Sequence, residues 1–304
     1  MRRLLIIAIL LALAYSGFAM NGEQTVYQAL TNDFAEGRIS LDTYVENLVY
    51  SVKAPEQMSA EYRTLNNGRS GTLPLLEAYN LLDEVSDDTI ERLRPMMARP
   101  WGLSESYTTT HFKFHYTLSG SDATTTSFVS QMASAFENSW DHIVDLGFSV
   151  PPSDGSGGGD SRYDVYIRNL SPGILGYCEP EANVPGTPWN DATSFINMRN
   201  SYSGYGSPAT QLMQSTAVHE MFHGFQMGYN ASASPWFLEV SSVWIEDDMY
   251  PSYNDEHSFL PVFFNNPDVT ITTYNGSHEY GSYLIATYME SEFGTGTMHE
   301  VWDQ

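Results

Sequence analysis

The stretch His219-Glu220-Met221-Phe222-His223 places two imidazoles and a carboxylate at a spacing that a helix turns into a metal site. Residues i and i+4 lie on the same helical face, so His219 and His223 can bind one metal ion. Glu220 then lies beside the metal, where it can take a proton from a metal-bound water instead of acting as a ligand. The spacing therefore predicts a hydrolytic zinc site.

The residues around this motif predict a long amphipathic helix. Ser207-Pro208 supplies an N-cap and a proline at the first helical position, and no other proline interrupts residues 209–229. The segment carries an apolar stripe made of Val218, Met221, Phe222 and Phe225. We therefore expect this helix, called the motif helix below, to be buried on one side and to face a cleft on the other.

A third ligand is expected on the following helix, because a catalytic zinc usually has three protein ligands and one open position. Ser234-Pro235 predicts the start of that helix, which carries Glu239 and Glu246. These two carboxylates are separated by about two helical turns and project from the same face. Only one of them can reach the metal, because the other lies about 10 Å further along the helix axis.

The segment Trp236-Phe237-Leu238-Glu239 resembles the W-L-N-E segment of gluzincin metallopeptidases, in which H-E-x-x-H is followed by a glutamate ligand on the next helix. The resemblance implies that Glu239 is the third zinc ligand, together with His219 and His223. It also implies that Glu246, which stands where a later glutamate often follows, orients a ligating histidine or a substrate amine.

A longer part of the chain, from Arg99-Pro100 to the C-terminus, is similar to a group of secreted bacterial metallopeptidases. That group carries H-E-F-F-H, then W-F-x-E-x-x-x-x-W-x-E-D, then Y-G-x-x-x-F, and the chain has related sequences at 219–223, 236–247 and 280–285. Together with the strand and helix patterns, this resemblance implies an α+β zincin-like fold. Such a fold has a mixed sheet, a backing helix and the H-E-x-x-H helix.

Peptide hydrolysis also needs a donor for the oxyanion, which a neutral His or Tyr usually supplies. Ser277-His278-Glu279-Tyr280-Gly281 offers His278 and Tyr280 immediately before a predicted helix over 282–293. Gluzincin aminopeptidases have a similar segment with tyrosine three residues before the glycine, the position that His278 takes here. The oxyanion donor therefore stays open between His278 and Tyr280.

The N-terminus has the pattern of a secretory signal peptide over residues 1–19. Met1-Arg2-Arg3 precedes an apolar run that is too short to cross a bilayer, and small residues lead up to Ala19. The sequence thus predicts a secreted or periplasmic protein. Cys178 is the only cysteine, so an intrachain disulfide cannot form, and we expect it to be a buried apolar side chain.

The chain is strongly acidic, with 37 acidic and 13 basic residues and a formal net charge of −24. This charge disfavours nucleic acids and anionic lipids as partners. The partner expected from the predicted zinc peptidase site is a polypeptide substrate. No stretch after residue 19 is long enough to span a membrane.

Two parts are predicted after the signal peptide. Residues 20–103 form a helical N-terminal region, which could be a propeptide, a support or a cap, with helices at 25–36, 40–52, 73–86 and 88–94 and a turn at 66–68. Residues 104–304 form the metallopeptidase domain, with strands at 111–117, 163–168 and 193–198 and a long helix at 123–146.

Two further features of the second part bear on function. The strand Thr193–Arg199 is expected nearest the cleft, where it could pair with an extended peptide and so favour an endopeptidase. Asp154 and Asp160 flank a glycine-rich loop that could hold Ca²⁺, although the loop lacks a bidentate glutamate and a plain linker is the better interpretation.

The leading hypothesis is a secreted zinc endopeptidase with Glu220 as general base. An aminopeptidase that uses the same site is the second hypothesis. A noncatalytic, zinc-stabilised surface or matrix protein is the third, although a structural zinc site needs no glutamate at position 220.

Overall fold

The computed structural model describes residues 25–65, 70–205 and 208–304, which form an α+β structure around a five-stranded mixed sheet. The predicted signal peptide, the predicted turn at 66–68 and the predicted capping residue Ser207 lie outside these residues.

The N-terminal part is helical, as predicted. Its helices are α1 (Val26–Ala35), α2 (Leu41–Lys53), α3 (Ala60–Arg63), α4 (Thr72–Leu81) and α5 (Asp87–Met97), with 3-10 helices at Pro55–Gln57 and Leu82–Glu84. Thr25 and Gln28 form a capping box at the start of α1, while the hydroxyls of Ser40 and Ser86 cap α2 and α5. Local side chains thus help to determine where α1, α2 and α5 begin.

The sheet combines parallel and antiparallel pairs. Its strands are β1 (Glu105–Thr108), β2 (Phe112–Tyr116), β3 (Tyr163–Arg168), β4 (Gly176–Asn183) and β5 (Ala192–Arg199). They lie in the order β1-β2-β3-β5-β4, with β2, β3 and β5 parallel to one another and β1 and β4 antiparallel to their neighbours. The predicted strands β2, β3 and β5 are confirmed, whereas β1 and β4 were not predicted.

The strand expected to receive a peptide is an interior strand. β5 pairs with β3 on one side and with β4 on the other, so the prediction that Thr193–Arg199 could accept an extended peptide is wrong. Strand addition needs an unpaired edge, and the outer strand on this side of the sheet is β4. Ser70 forms an isolated bridge with Gly176 at the start of β4.

The remaining helices follow or flank the sheet. They are α6 (Thr126–Asp145), the motif helix α7 (Ala209–Asn230), α8 (Pro235–Met249), α9 (Leu260–Asn265), α10 (His278–Gly281), α11 (Leu284–Phe293) and α12 (Thr297–Trp302), with a 3-10 helix at Glu256–Phe259. Pro235 is the first residue of α8 and Ser234 its N-cap, as predicted. The helix predicted over 282–293 begins at Leu284 and is preceded by the short α10.

The core extends over both faces of the sheet. Cys178 lies in the hydrophobic cluster that includes the apolar residues of α6 and α7, whereas its neighbour Tyr177 packs with the N-terminal helices. Successive side chains of a strand point to opposite faces, so N-terminal helices cover the Tyr177 face of β4, while Leu73 and Leu76 of α4 also pack in the cluster that contains Cys178. Within the described residues, no helix is long and apolar enough to cross a membrane.

Candidate metal centre

Two helices bring the predicted ligands together. His219 and His223 lie one turn apart on α7, and Glu239 lies in the first half of α8. Each of the three offers a ligand atom within 4.8 Å of the other two, and all three side chains are buried. Among the described residues, this is the only group of three or more His, Cys, Asp or Glu side chains that could hold a metal ion.

The spacing of the donor atoms fits one small cation. The two histidine Nε2 atoms are 3.1 Å apart, and Glu239 lies 3.3 Å from Nε2 of His219 and 3.7 Å from Nε2 of His223. Ligands of a tetrahedral zinc ion, at bond lengths of about 2.0–2.1 Å, are separated by about 3.3 Å. Two imidazoles and one carboxylate are also a common ligand set of catalytic zinc.

The other ring nitrogen of each histidine is held by a different kind of side chain. Nδ1 of His219 donates to Oε1 of Glu246 at 2.6 Å, and Nδ1 of His223 donates to Oε1 of Gln226 at 2.7 Å. Because Nδ1 of each histidine is already hydrogen-bonded, Nε2 is the nitrogen of each ring that can bind a metal. The structure therefore places Glu246 against a predicted ligand, two turns from Glu239.

Gln226 was not predicted, and its contacts determine how its amide is oriented. Its Nε2 donates to the backbone carbonyl of Leu238 at 3.0 Å and lies within hydrogen-bond distance of the hydroxyls of Ser241 and Ser242. Because a carbonyl can only accept, the amide oxygen of Gln226 must face His223. The sequence signal was its position three residues after His223, on the same face of the motif helix.

The two histidines of the cluster differ in the direction of their pKa shifts. Burial lowers the pKa of His223 to about 4, so this imidazole is neutral and ready to bind a metal. Burial also opposes a charge on His219, but hydrogen bonds to Glu239 and Glu246 outweigh it and raise the pKa of His219 well above its usual value. Burial opposes ionisation of Glu239 too, yet contact with His219 keeps its pKa lowered. Glu239 and Glu246 thus favour the protonated form of His219. A bound metal ion would take the place of that proton.

Glu220 is buried between three elements. Its Oε2 accepts a hydrogen bond of 2.8 Å from the hydroxyl of Thr72, the first residue of α4. On another side it packs against Gly176, where an added Cβ would lie only 3.0 Å from Cγ of Glu220. Burial raises the pKa of Glu220 to about 7, and the charge of His219 and the hydroxyl of Thr72 act in the opposite direction.

A cavity of about 40 Å³ lies beside the cluster. It has room for a few water molecules. The polar side chains on its wall include those of Ser70, His219, Glu220, Glu246 and Tyr280. The predicted ligand His219 and the predicted general base Glu220 therefore face the same small space.

The two candidate oxyanion donors lie in different surroundings. Tyr280 lines the cavity, and its hydroxyl helps to lower the pKa of Glu239. Burial raises the pKa of Tyr280 well above its usual value, so the hydroxyl is a neutral donor. His278 is buried with its ring against Phe263, at 5.1 Å between ring centroids, and neither ring nitrogen has a hydrogen-bond partner among the described residues.

The loop considered for calcium is paired with basic side chains. Asp154 forms an ion pair with Arg99. Asp160 lies 3.1 Å from Arg162 and 3.5 Å from Lys113. These cations already neutralise the carboxylates that a calcium ion would need.

Comparisons with known proteins found no relative of this chain. No protein-family model, curated protein or solved structure matches it. The function is therefore inferred from the residues of the chain and their geometry.

Proposed function

We propose that the protein is a zinc-dependent metallopeptidase whose residues 104–304 form a zincin-like catalytic part. The observation that supports this most is the convergence of His219, His223 and Glu239 on one point, with Glu220 facing the same cavity as His219. A structural zinc site needs only its ligands. A buried carboxylate in the cavity beside the ligands supports a catalytic site.

The roles in the reaction follow from the positions of the side chains. His219, His223 and Glu239 would hold the zinc ion, which would act as a Lewis acid and lower the pKa of water toward neutrality. Glu220 takes a proton from water as the water oxygen attacks the scissile carbonyl carbon. It then passes the proton to the amine as the C–N bond breaks. Tyr280 donates to the developing oxyanion, because it lines the cavity and keeps its proton.

A second candidate, an aminopeptidase, is supported by the small size of the cavity beside the cluster. Its volume is about 40 Å³, and an aminopeptidase site has to accept only the end of a chain. N-acetylated peptides separate the two activities. An aminopeptidase leaves them intact, whereas an endopeptidase cleaves them as readily as free peptides.

Replacing Glu220 by Gln tests the proposal directly. The amide cannot accept the proton from water, so we expect peptide hydrolysis to fall about 10²–10⁴-fold while zinc content stays at the wild-type level. Cleavage of an unfolded protein, with and without a chelator, measures the activity, and elemental analysis measures the zinc.

Glu292→Gln is the matched control, because Glu292 is exposed on α11 and far from the motif in sequence. Full activity of Glu220→Gln would contradict the role of Glu220 as general base. Zinc binding without hydrolysis in the wild type would instead favour the noncatalytic, zinc-stabilised protein.

A further inference from the structure

Thr72 lies in the N-terminal helical part, yet it contacts the proposed general base. We propose that Thr72 is a positioning residue that orients the carboxylate of Glu220 for proton transfer. This inference rests on the proposed function and adds a residue from outside residues 104–304 to the site.

The hydrogen bonds of Thr72 have only one consistent direction. Its Oγ1 lies 2.9 Å from the backbone nitrogen of Cys178 and 2.8 Å from Oε2 of Glu220. A backbone N–H can only donate, so it uses an acceptor site of the hydroxyl. The hydroxyl proton is then directed to Glu220. Since the side chain of Thr72 is fully buried, bulk water does not compete for these bonds.

The backbone next to Glu220 leaves room for its side chain only because residue 176 is glycine. A Cβ built on Gly176 would come within 3.0 Å of Cγ of Glu220 and 3.1 Å of Cγ2 of Thr216. The hydrogen bond from Thr72 holds Oε2 and so restricts rotation about the terminal bond of Glu220. It favours one orientation of the carboxylate in the wall of the cavity.

Orientation of a general base affects the chemical step more than substrate binding. A base must lie within about 2.6–3.2 Å of the proton that it removes, and a displacement of about 1 Å can slow a reaction about 10²-fold. Thr72 does not belong to the metal cluster, and its hydroxyl bonds to β4 and Glu220. We therefore expect loss of the hydroxyl to lower kcat and to leave KM nearly unchanged.

The experiment compares Thr72→Val, which removes the hydroxyl and keeps the shape, with Thr72→Ser, which keeps the hydroxyl. For the zinc-loaded enzyme we expect kcat to fall about 10–100-fold in T72V, with KM within about twofold, and to return close to wild type in T72S. Zinc content is measured in each variant and should not change. Thr89→Val is the control, because Thr89 is a fully buried threonine in α5 and far from the cluster in sequence.

Each kinetic outcome decides for or against the proposal. Equal losses of kcat in T72V and T72S, or an unchanged kcat in T72V, would overturn it. A gain of activity in T72V would also overturn the proposal. It would show that the start of α4, where Thr72 lies, obstructs the site. If T72V does not fold, Thr72→Ala takes its place in the same comparison.

A structural measurement tests the inference without any activity. In crystal structures of the zinc-loaded proteins, the carboxylate of Glu220 should keep one orientation in wild type and T72S and should change or lose it in T72V. An unchanged carboxylate in T72V would overturn the inference. If the wild type hydrolyses no peptide, the proposed function fails, whereas this comparison still decides whether Thr72 orients Glu220.

Discussion

At the scale of single residues, the buried polar side chains of the centre differ in the partners that hold them. His219 is held by a carboxylate and His223 by an amide. A carboxylate partner increases the basicity of an imidazole more than a neutral amide does. The two predicted ligands therefore differ in basicity, although both are histidines of the same motif.

The pH dependence of stability can be tested at Glu279, which lies in α10. Its Oε2 accepts from the backbone nitrogen of Asn275 at 2.9 Å, and burial raises its pKa to about 8. The folded state thus favours the protonated form. The resulting stabilisation is full below the ordinary pKa of about 4.3 and is lost as pH rises toward 8.

Glu279→Gln is uncharged at every pH, so its free energy of unfolding should fall less than that of the wild type between pH 5 and pH 9. The difference should be on the order of 3–5 kcal/mol, from the size of the pKa shift. Urea unfolding at several pH values measures it. The exposed Glu292→Gln is the control, and parallel curves for Glu279→Gln and wild type would contradict the prediction.

At the scale of secondary-structure elements, the centre depends on how α7 and α8 meet. Gln226 accepts from a ligand on α7 and donates to the backbone of Leu238 on α8, next to the ligand Glu239. One side chain therefore links the position of His223 to that of Glu239. Helix ends and apolar stripes can be recognised in sequence, but this link depends on which faces of the two helices pack together.

Gln226→Leu should weaken zinc binding about 10–100-fold, because His223 loses the partner that orients its ring. Titration with zinc against a competing chelator measures the affinity. Gln214→Leu is the control, because Gln214 lies on the same helix and instead accepts from the hydroxyl of Tyr253. Equal zinc affinity in Gln226→Leu and wild type would show that the packing of α7 on α8 alone orients His223.

The two strands that were not predicted lack a clear strand pattern. β1 is short and mostly exposed, with the sequence Glu105-Ser106-Tyr107-Thr108. β4 contains Pro180, where the pairing with β5 shifts register. Proline is tolerated at an edge strand or a bulge, and Pro180 lies at such an irregularity of β4.

At the scale of the whole molecule, the N-terminal helices form a layer on the sheet. Lys53 of α2 lies 2.5 Å from Glu179 of β4, and both side chains are almost completely buried. Burial lowers the pKa of Lys53 and raises that of Glu179, so each charge depends on the other. Arg99 likewise pairs with Asp164 of β3. Buried ion pairs of this kind attach the N-terminal part to strands β3 and β4 of the sheet.

Lys53→Met should destabilise the protein by about 3–5 kcal/mol, because Glu179 would remain buried without its cation. Urea unfolding measures the loss. The double variant Lys53→Met/Glu179→Met removes both charges and should recover much of it. A loss below about 1 kcal/mol in the single variant, as for an exposed ion pair, would show that the N-terminal layer is only loosely attached.

Local patterns in the sequence predicted the longer helices, three of the strands and the residues that could bind a metal, but not the short helices α3, α9, α10 and α12. His219 and His223 share a face because of helical spacing alone, and Ser234-Pro235 begins α8 through contacts within a few residues. These features depend on neighbours along the chain, so a single sequence is sufficient to predict them.

Only the tertiary structure decided that β5 is an interior strand, that Tyr280 and not His278 lines the cavity, and that Thr72 contacts Glu220. Thr72 is separated from Glu220 by 148 residues, and their contact exists because Ser70 reaches Gly176 at the start of β4. Contacts across such distances depend on strand order and on how helices pack against the sheet. Neither strand order nor the packing of helices on the sheet can be predicted from local spacing or periodicity in the sequence.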